Sequence, residues 1–194
     1  MTDQPPKGRF SVASLIRCAK GSAILEFALV APPFLALLIA ILQIAIAFIA
    51  QAMLETTAES AARLILTGQA QTYSGTSGTT TYTGMTQSDY ASAVCTALKA
   101  QSPFMSCSNL YIDVTTVSNY ADATTSLPAL TYDSSGKVSN SWSYAIGTQG
   151  SIVVLRVMYV LPLAGAPMGF SLGNLTTGKR LLLATSVFKV EGYT

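Results

Sequence analysis

The sequence predicts an α+β protein: a long N-terminal transmembrane helix that extends into a small exported domain, with an antiparallel sheet of about three or four strands. Three observations indicate this fold. Residues 23–50 are almost uninterruptedly apolar, and Glu26 and Gln43 are their strongly polar side chains. The residues that follow keep a helical spacing of apolar side chains. Three later segments alternate between apolar and polar residues, as half-buried strands do.

Residues 22–50 form the predicted transmembrane helix. About 20 apolar residues cross a hydrocarbon core of ~30 Å, and the apolar region of a cleaved secretory signal is only ~7–15 residues long. Four basic residues precede the helix, so residues 1–21 are expected to form a cytoplasmic basic leader. Pro32 and Pro33 remove backbone donors and are expected to kink or loosen the helix locally.

The helix is expected to continue beyond the membrane as residues 51–68. Five apolar side chains share one helical face there: Leu54, Ala58, Ala61, Ala62 and Ile65. Glu59 and Arg63 are spaced and ordered to form a favourable ion pair, and Gly68 is the expected C-terminal stop. A helix over residues 22–67 is ~69 Å long at ~1.5 Å per residue. This length is about twice the ~30 Å hydrocarbon core, so the protruding apolar face needs a cover.

Residues 69–194 are expected to form the exported domain that supplies this cover. Residues 69–87 are rich in Gly, Ser and Thr, which predicts an irregular connection. Ser88 or Asp89 is expected to cap a short helix that runs to Ala100. Its apolar face consists of Tyr90, Val94 and Leu98. Three strands are predicted, at residues 109–117, 151–161 and 181–190. Residues 118–150 are expected to be mostly loop.

Each predicted strand has one face that is mainly apolar. These faces consist of Leu110, Ile112 and Val114; of Val153, Leu155, Val157 and Tyr159; and of Leu182, Ala184, Phe188 and Val190. Tyr111, Asp113, Thr115 and Arg156 are expected on the opposite face of the sheet. The apolar face is therefore predicted to pack against the long helix.

The composition argues against an enzyme. The chain has no histidine, which removes the usual general base and the usual metal ligand. Lys137 lies in the sequence Ser-Ser-Gly-Lys-Val, which lacks the pattern of a phosphate-binding loop. Residues 56–194 are close to neutral, so no basic patch for nucleic acid is visible. We expect no catalysis, no cofactor, no metal, no nucleic acid and no small-molecule substrate.

Two of the three cysteines are candidates for a disulfide. Cys95 and Cys107 lie in the part expected to be exported, where disulfides persist, whereas Cys18 lies on the cytoplasmic side. We predict a Cys95–Cys107 disulfide, and a pair of buried free thiols is the alternative. A zinc site is not expected without histidine or a third nearby cysteine.

The start of the apolar helix carries a processing motif. It reads Lys20-Gly21-Ser22-Ala23-Ile24-Leu25-Glu26-Phe27, and a carboxylate such as Glu26 is costly in a membrane. The motif resembles the site at which type IV prepilins and pseudopilins are cut after a glycine, leaving a glutamate as the fifth mature residue. The resemblance implies cleavage between Gly21 and Ser22. Alternatively, Glu26 is an ordinary intramembrane or interfacial carboxylate.

A cut at this position would give Glu26 a partner. It would create an α-amino group with a pKa of ~8, largely protonated at neutral pH. Such a cation at Ser22 can compensate the carboxylate of Glu26 in its own chain or in a neighbouring subunit.

A longer set of residues resembles the TadE-like family of tight-adherence (Flp or Tad) pilus assembly proteins. The matching residues are Glu26, Phe27, Ala28, Leu29, Val30 and Pro32, followed by Glu55, Glu59, Ala61, Ala62, Arg63 and Gly68. The family often ends in Glu-Pro-Tyr, whereas this chain has Glu191-Gly192-Tyr193. The double proline at 32–33 is a second departure, since one proline is more usual.

The resemblance implies a pseudopilin or minor pilin that acts in assembly of the Tad (Flp) type IVb/IVc pilus and its secretion apparatus, for surface adhesion and biofilm formation. The implied partners are the bacterial inner membrane, the prepilin peptidase and other Tad subunits. The N-terminus would be cytoplasmic and the domain periplasmic or in the extracellular pilus. An unprocessed membrane-anchored scaffold, or a periplasmic binding or sensor domain, is the alternative. TadE, TadF and TadG-like roles stay open, although the chain length argues against the last.

Overall fold

The computed structural model describes residues 19–124, 129–163, 170–175 and 178–193, with side chains from residue 23 onward. Residues 1–18 of the predicted leader lie outside this part. The elements are α1 (Ala19–Leu66), α2 (Gln69–Thr72), β1 (Ser74–Ser77), β2 (Thr80–Thr83), α3 (Gln87–Gln101), β3 (Leu110–Val117), β4 (Ile152–Leu161) and β5 (Arg180–Lys189). The predicted fold class, a long apolar helix followed by a small α+β domain, is confirmed.

Helix α1 is the longest element and the support for the domain. It has 48 residues and remains α-helical through Pro32 and Pro33. Two adjacent prolines remove two backbone donors, and the apolar residues around them continue the helix on both sides. The helix starts before the predicted residue 22 and ends at Leu66, one residue before the predicted end.

The main sheet is antiparallel, with β4 between β3 and β5. Its register places Val114 opposite Leu155 and Val157 opposite Ala184. Side chains on a strand alternate between the two faces, so these residues share the face that packs on α1. The predicted apolar faces of all three strands are confirmed, because every one of their residues belongs to or packs against one core.

This main core lies between α1, α3 and the sheet. The buried helix residues are Ala47, Ala50, Leu54, Thr57, Ala58, Ala61, Ala62 and Ile65. Most of them are alanines, whose small side chains let the sheet approach the helix closely. The hydroxyl of Thr57 is satisfied within the helix because it donates to the carbonyl of Met53 at 2.8 Å. The predicted apolar face of the helix extension is thus the face that the domain covers.

A second, smaller core covers the other face of the sheet, which the sequence reading left unassigned. Val138 packs there against Met158, Val160 and Leu181, with several partly buried side chains around them. Two of these are Tyr132 and Trp142, from the segment predicted as mostly loop. That segment is indeed largely irregular, but it folds back over the sheet instead of extending into solvent.

One ion pair fastens this loop to the sheet. Asp113 and Arg156 face each other across β3 and β4, and their side chains meet at 2.6 Å with 11% and 12% exposure. Asp113 also accepts a bond from the backbone N–H of Ser143 at 2.9 Å, and Arg156 donates to the carbonyl of Thr124 at 2.7 Å. Both ends of the covering loop are therefore anchored to one charged pair.

Residues 69–87 were wrongly expected to be irregular throughout. They form the short helix α2 and the hairpin β1–β2, in which Ser77 pairs with Thr80. The Thr-rich composition suits strands, and Gly78 supplies the left-handed backbone of the tight turn, with φ +62°. The lack of large apolar side chains concealed this hairpin in the sequence.

The N-terminal cap of α3 is Thr86, so the predicted caps Ser88 and Asp89 are wrong. Asp89 instead completes a capping box: its backbone N–H donates to the Thr86 hydroxyl, and its carboxylate accepts from the Thr86 backbone. Hydrogen bonds from Thr86 and Tyr82 lower the pKa of Asp89 below its usual value. A carboxylate at this position also suits the positive end of the helix dipole.

The end of the chain closes the C-terminal end of α1. Gly68 has φ +77° and lies against the ring of Tyr193, because a Cβ at Gly68 would be 2.3 Å from the Tyr193 Cγ. The backbone N–H of Glu191 donates to the carbonyl of Leu66 at 2.9 Å. One of the helix carbonyls that would otherwise lack a partner is thus satisfied by a residue from the end of the domain.

Replacing Gly68 by alanine should destabilise the domain more than the same change at Gly78. Both glycines have positive φ, which costs alanine ~1 kcal/mol, but nothing lies within 4 Å of a Cβ at Gly78. At Gly68 the methyl group would displace Tyr193 as well. Chemical denaturation of the full chain in detergent should show a total loss of roughly 2–4 kcal/mol for Gly68→Ala. Adding Tyr193→Ala should recover part of it; equal losses at both glycines would contradict the close contact.

Replacing Asp113 by asparagine should release the loop over the outer sheet face. The change leaves the covered Arg156 without its carboxylate, which should lower the free energy of unfolding by about 2–3 kcal/mol. Asp122→Asn removes the same charge from an exposed turn and should cost less than ~0.5 kcal/mol. Fluorescence of Trp142, the single tryptophan, should shift in the first variant alone. Matching stabilities would show that the pair does not hold the loop.

Candidate functional site

The most conspicuous surface is the N-terminal half of α1, residues 23–46, which we call the bare segment. Its large apolar side chains are exposed, Phe27 to 73%, and the first buried residue of the helix is Ala47. The bare segment is ~36 Å long at ~1.5 Å per residue, close to the ~30 Å hydrocarbon core of a bilayer. Helix α1 is long and apolar enough to cross a membrane. With the small domain that follows, this fits a single-pass membrane protein.

The residues of the processing motif lie at the start of this segment. The backbone of Gly21 and Ser22 is helical, and their side chains lie outside the described ones. Glu26 and Phe27 follow on the exposed part of the helix. Residues four apart lie on the same helical face, so an amino group formed at Ser22 would be close to the carboxylate of Glu26. Pro32 lies farther along the same exposed segment.

The other motif residues are at the opposite end of α1. Arg63 is ~55 Å from Glu26 along the helix axis, at ~1.5 Å per residue, so the motif does not assemble into one site. Gly68 forms the contact with Tyr193 described above. The motif therefore has two separate parts, one for the membrane-proximal start of the helix and one for its junction with the domain.

The predicted ion pair between Glu59 and Arg63 is not formed. Among the described residues, the ion pair present joins Asp113 to Arg156, and both Glu59 and Arg63 are exposed. An exposed pair gains only ~0.3–0.5 kcal/mol, which the loss of side-chain freedom can offset. One turn before Glu59 on the same helical face, Glu55 instead accepts a hydrogen bond from the side chain of Gln51 at 2.8 Å.

Cys95 and Cys107 form a disulfide in the structure, with their Cα atoms 5.6 Å apart. It ties α3 to the short 3₁₀ turn that precedes β3. Cys18, expected on the other side of the membrane, lies outside the described residues. The disulfide fixes α3 beside β3 at the end of the domain where β3 begins.

The tyrosines around α3 have structural roles. The hydroxyl of Tyr90 donates to the carbonyl of Ala61 at 2.9 Å, and that of Tyr144 donates to the carbonyl of Met85 at 3.0 Å. Burial raises the pKa of Tyr144 to about 12, and it also raises that of Tyr90. Both hydroxyls therefore stay protonated and hold α3 and its flanking loop in place.

Among the described residues, neither the titratable groups nor the pockets indicate a catalytic centre. Over the part of the chain that the structure describes, no group of three or more His, Cys, Asp or Glu side chains could hold a metal ion. A pocket of about 370 Å³ beside the disulfide is lined mainly by apolar and aromatic side chains, including Tyr111 and Trp142. These lining side chains are suited to packing against each other and not to transferring protons.

Comparison with known families identifies the exposed helix. Residues 21–63 match the family described as TadE-like protein. Over these residues the chain is similar to TadE-like proteins. The match starts at Gly21, includes the whole bare segment and ends at Arg63. It points to a role in Tad pilus assembly, in which TadE-like proteins are structural components rather than enzymes.

No curated protein matches the sequence, and no solved structure matches the fold. The TadE-like match also stops before Gly68, so the contact between this glycine and the end of the chain is a finding of the structure itself.

Sequence reasoning missed two features that shape the domain. It placed Asp113 and Arg156 on the same face of the sheet without pairing them, although opposite charges on adjacent strands were a usable signal. It also missed the contact of the chain end with α1. Only the proximity of Gly68 and Tyr193 in space reveals that contact, since 125 positions separate them in the sequence.

Reduction of the disulfide should destabilise the domain. In the loop-entropy model, a link across this separation of 12 residues contributes about 3 kcal/mol. Thermal unfolding of the full chain should therefore move to lower temperature when dithiothreitol is added. A variant with Cys95→Ala and Cys107→Ala should unfold at that lower temperature with or without reductant. No effect of the reductant on the unmodified chain would support the free-thiol alternative.

Proposed function

We propose that this TadE-like chain is a pseudopilin or minor pilin that acts in assembly of the Tad (Flp) pilus and its secretion apparatus. The observation that carries the proposal is the bare segment, a membrane-length apolar helix with no cover in the described structure. It continues without a break into the helical support of a folded domain. A subunit of this shape can be held in a membrane and can then pack its helix against other subunits.

The helix has two functions in this proposal. Residues 22–50 anchor the chain in the bacterial inner membrane and contact other Tad subunits. Residues 51–68 hold the domain of residues 69–194, which lies in the periplasm or in the extracellular fibre. Ala47 is the first described residue of the helix that the domain buries, which lies close to the proposed boundary after residue 50.

The leader, residues 1–21, would keep the N-terminus in the cytoplasm until a prepilin peptidase cuts between Gly21 and Ser22. The new α-amino group is a cation at neutral pH, and Glu26 is four residues away on the same helical face. Their attraction lowers the cost of placing the carboxylate of Glu26 in an apolar environment. The amine of one subunit can also meet Glu26 of its neighbour, which would set the axial position of the incoming helix.

Surface adhesion and biofilm formation would follow from the assembled pilus and not from chemistry on this chain. The alternative is an unprocessed scaffold, or a binding or sensor domain, that keeps its leader and stays in the membrane. Both readings need the same anchor and the same topology. They differ at the junction of Gly21 and Ser22, where only the pseudopilin is cut.

The N-terminal residue of the membrane-extracted protein tests the proposal. In a strain with active prepilin peptidase, intact mass and N-terminal sequencing should give a chain that begins at Ser22. Gly21→Asp should abolish the cut, since a charged side chain replaces the hydrogen of glycine at the scissile bond. Gly8→Asp, the same change elsewhere in the leader, should leave processing intact.

Two further outcomes separate the roles of these residues. Glu26→Gln should still be cut at the same bond but should enter the pilus poorly, because the new amine loses its carboxylate partner. An unmodified chain that still begins at Met1 beside an active peptidase would refute the pseudopilin mechanism. The chain would then be a permanent membrane anchor.

A further inference from the structure

A groove lies where the bare segment ends and the domain begins. Its volume is about 370 Å³, and its lining residues are Ile44, Ala47, Phe48, Gln51, Leu172, Arg180 and Leu182. One wall is α1, and the other is the start of β5 with the segment before it. The surface is mainly apolar, and among these described residues only Arg180 has a formal charge. The groove continues directly into the exposed helix, on which Phe48 is 72% exposed.

Contacts between α1 and β5 fix the level of the groove along the helix axis. The side chain of Gln51 donates to the carbonyl of Leu183 at 3.0 Å. At the C-terminal end of α1, the backbone N–H of Glu191 donates to the carbonyl of Leu66. Strand β5 therefore runs in the same direction as α1. Arg180 is three residues before Leu183 in this strand. At ~3.3 Å per residue it therefore lies ~10 Å closer to the N-terminal end of α1 than Leu183 does. That level corresponds to the last turn of the bare segment.

The level matters if the bare segment spans the membrane, and here the inference rests on the proposed function. The groove then lies at the outer surface of the hydrocarbon core, among the lipid headgroups. Other aromatic side chains are exposed at this end of the domain. Phe104 is 53% and Phe170 is 38% exposed, and aromatic residues are enriched at membrane interfaces. The lower end of the domain thus has the character of a membrane-facing surface.

Arg180 has unused capacity for hydrogen bonding. A guanidinium has five N–H donors, and the one hydrogen bond of this group within the described part of the chain joins its Nη1 to the carbonyl of Leu172 at 3.3 Å. Its Nε is buried and has no partner among the described residues. None of the described residues that line the groove is acidic. The planar fork of arginine matches phosphate oxygens, to which it can donate two parallel bonds.

We propose that this groove binds one membrane phospholipid with an anionic headgroup. The phosphate accepts hydrogen bonds from Arg180 at the rim, and an acyl chain lies along Ile44 and Phe48 into the bare segment. The occupant is a lipid because the groove combines a cation with an apolar floor that leads into the membrane-length helix. A free anion would use the cation alone. The bound lipid would set the height of the domain above the membrane surface.

Native mass spectrometry of the full chain in detergent tests this binding. The chain is titrated with phosphatidylglycerol and, separately, with phosphatidylcholine. The unmodified protein should retain one phosphatidylglycerol, and Arg180→Gln should weaken this binding about fivefold, the effect of one basic residue at an anionic membrane surface. Binding of phosphatidylcholine should change little. Equal binding of phosphatidylglycerol by both proteins would overturn the proposal.

Lys179→Gln is the matched control. It removes the same charge from the neighbouring residue, whose side chain lines a small pocket with Tyr111 and Val160 on the other face of the sheet. It should leave the binding of phosphatidylglycerol unchanged. An equal loss in this variant would mean that general surface charge attracts the lipid, which would also overturn the proposal.

Leu172→Glu provides a second variant that keeps Arg180. A carboxylate at the rim should repel the headgroup. It should therefore reduce phosphatidylglycerol binding at least as strongly as Arg180→Gln does, so the test does not depend on how well Arg180→Gln folds. Inorganic phosphate at a concentration equal to that of the lipid should not displace it. Displacement would show a site for free phosphate instead of a lipid groove.

Flotation with phosphatidylcholine vesicles separates this inference from the proposed membrane anchor. The unmodified chain and all three variants should float, because the bare segment anchors each of them. A chain that floats but shows no preference for phosphatidylglycerol would refute the groove alone. A chain that fails to float would refute the anchor, whereas the binding measured in detergent still decides whether the groove takes the lipid.

Discussion

The packing of the sheet on the C-terminal half of α1 is the interaction on which the rest of the structure depends. The small residues from Ala47 to Ala62 let β4 and β5 approach the helix closely, and Leu54 and Ile65 fill the space between them. The other elements are arranged around this contact: α3 is held to α1 by Tyr90, and the disulfide holds α3 to the turn before β3. The helix is therefore part of the domain core and not only an anchor attached to it.

The same contact explains why one helix has two kinds of surface. A domain with three main strands covers only as much of α1 as its strands are long, and a ten-residue strand such as β4 is ~33 Å long at ~3.3 Å per residue. The remaining part of α1 is left to a different environment. Apart from Glu26 and Gln43, the side chains of the bare segment are apolar on all sides, as expected of a helix in lipid or among other helices. The division between the two surfaces lies near Ala47, where the first helix residue becomes buried.

Residues with periodic patterns were predictable, and contacts between distant segments were not. The sequence correctly placed α1, α3, the three strands and the apolar face of each, because burial imposes a spacing on side chains that can be read directly. The hairpin β1–β2 lacks that signal, since its Ser, Thr and Gly residues pack no core. The cap of α3 was predicted at Ser88 or Asp89, two or three residues after the observed Thr86, because several adjacent residues can cap a helix. The bare segment was evident from composition alone, whereas the groove at Arg180 requires knowledge of which strand lies beside which turn of the helix.

The closure of α1 by the end of the chain has a mechanical consequence. Strand β5 runs alongside the helix from Arg180 upward, and the residues after it reach the last turn, where Glu191 bonds to Leu66 and Tyr193 covers Gly68. A force that draws the helix along its axis would load these side-by-side contacts in shear, so that they would have to break together. A domain attached at one end of the helix would instead peel away contact by contact. The fold is thus built to transmit axial tension between its helix and its domain.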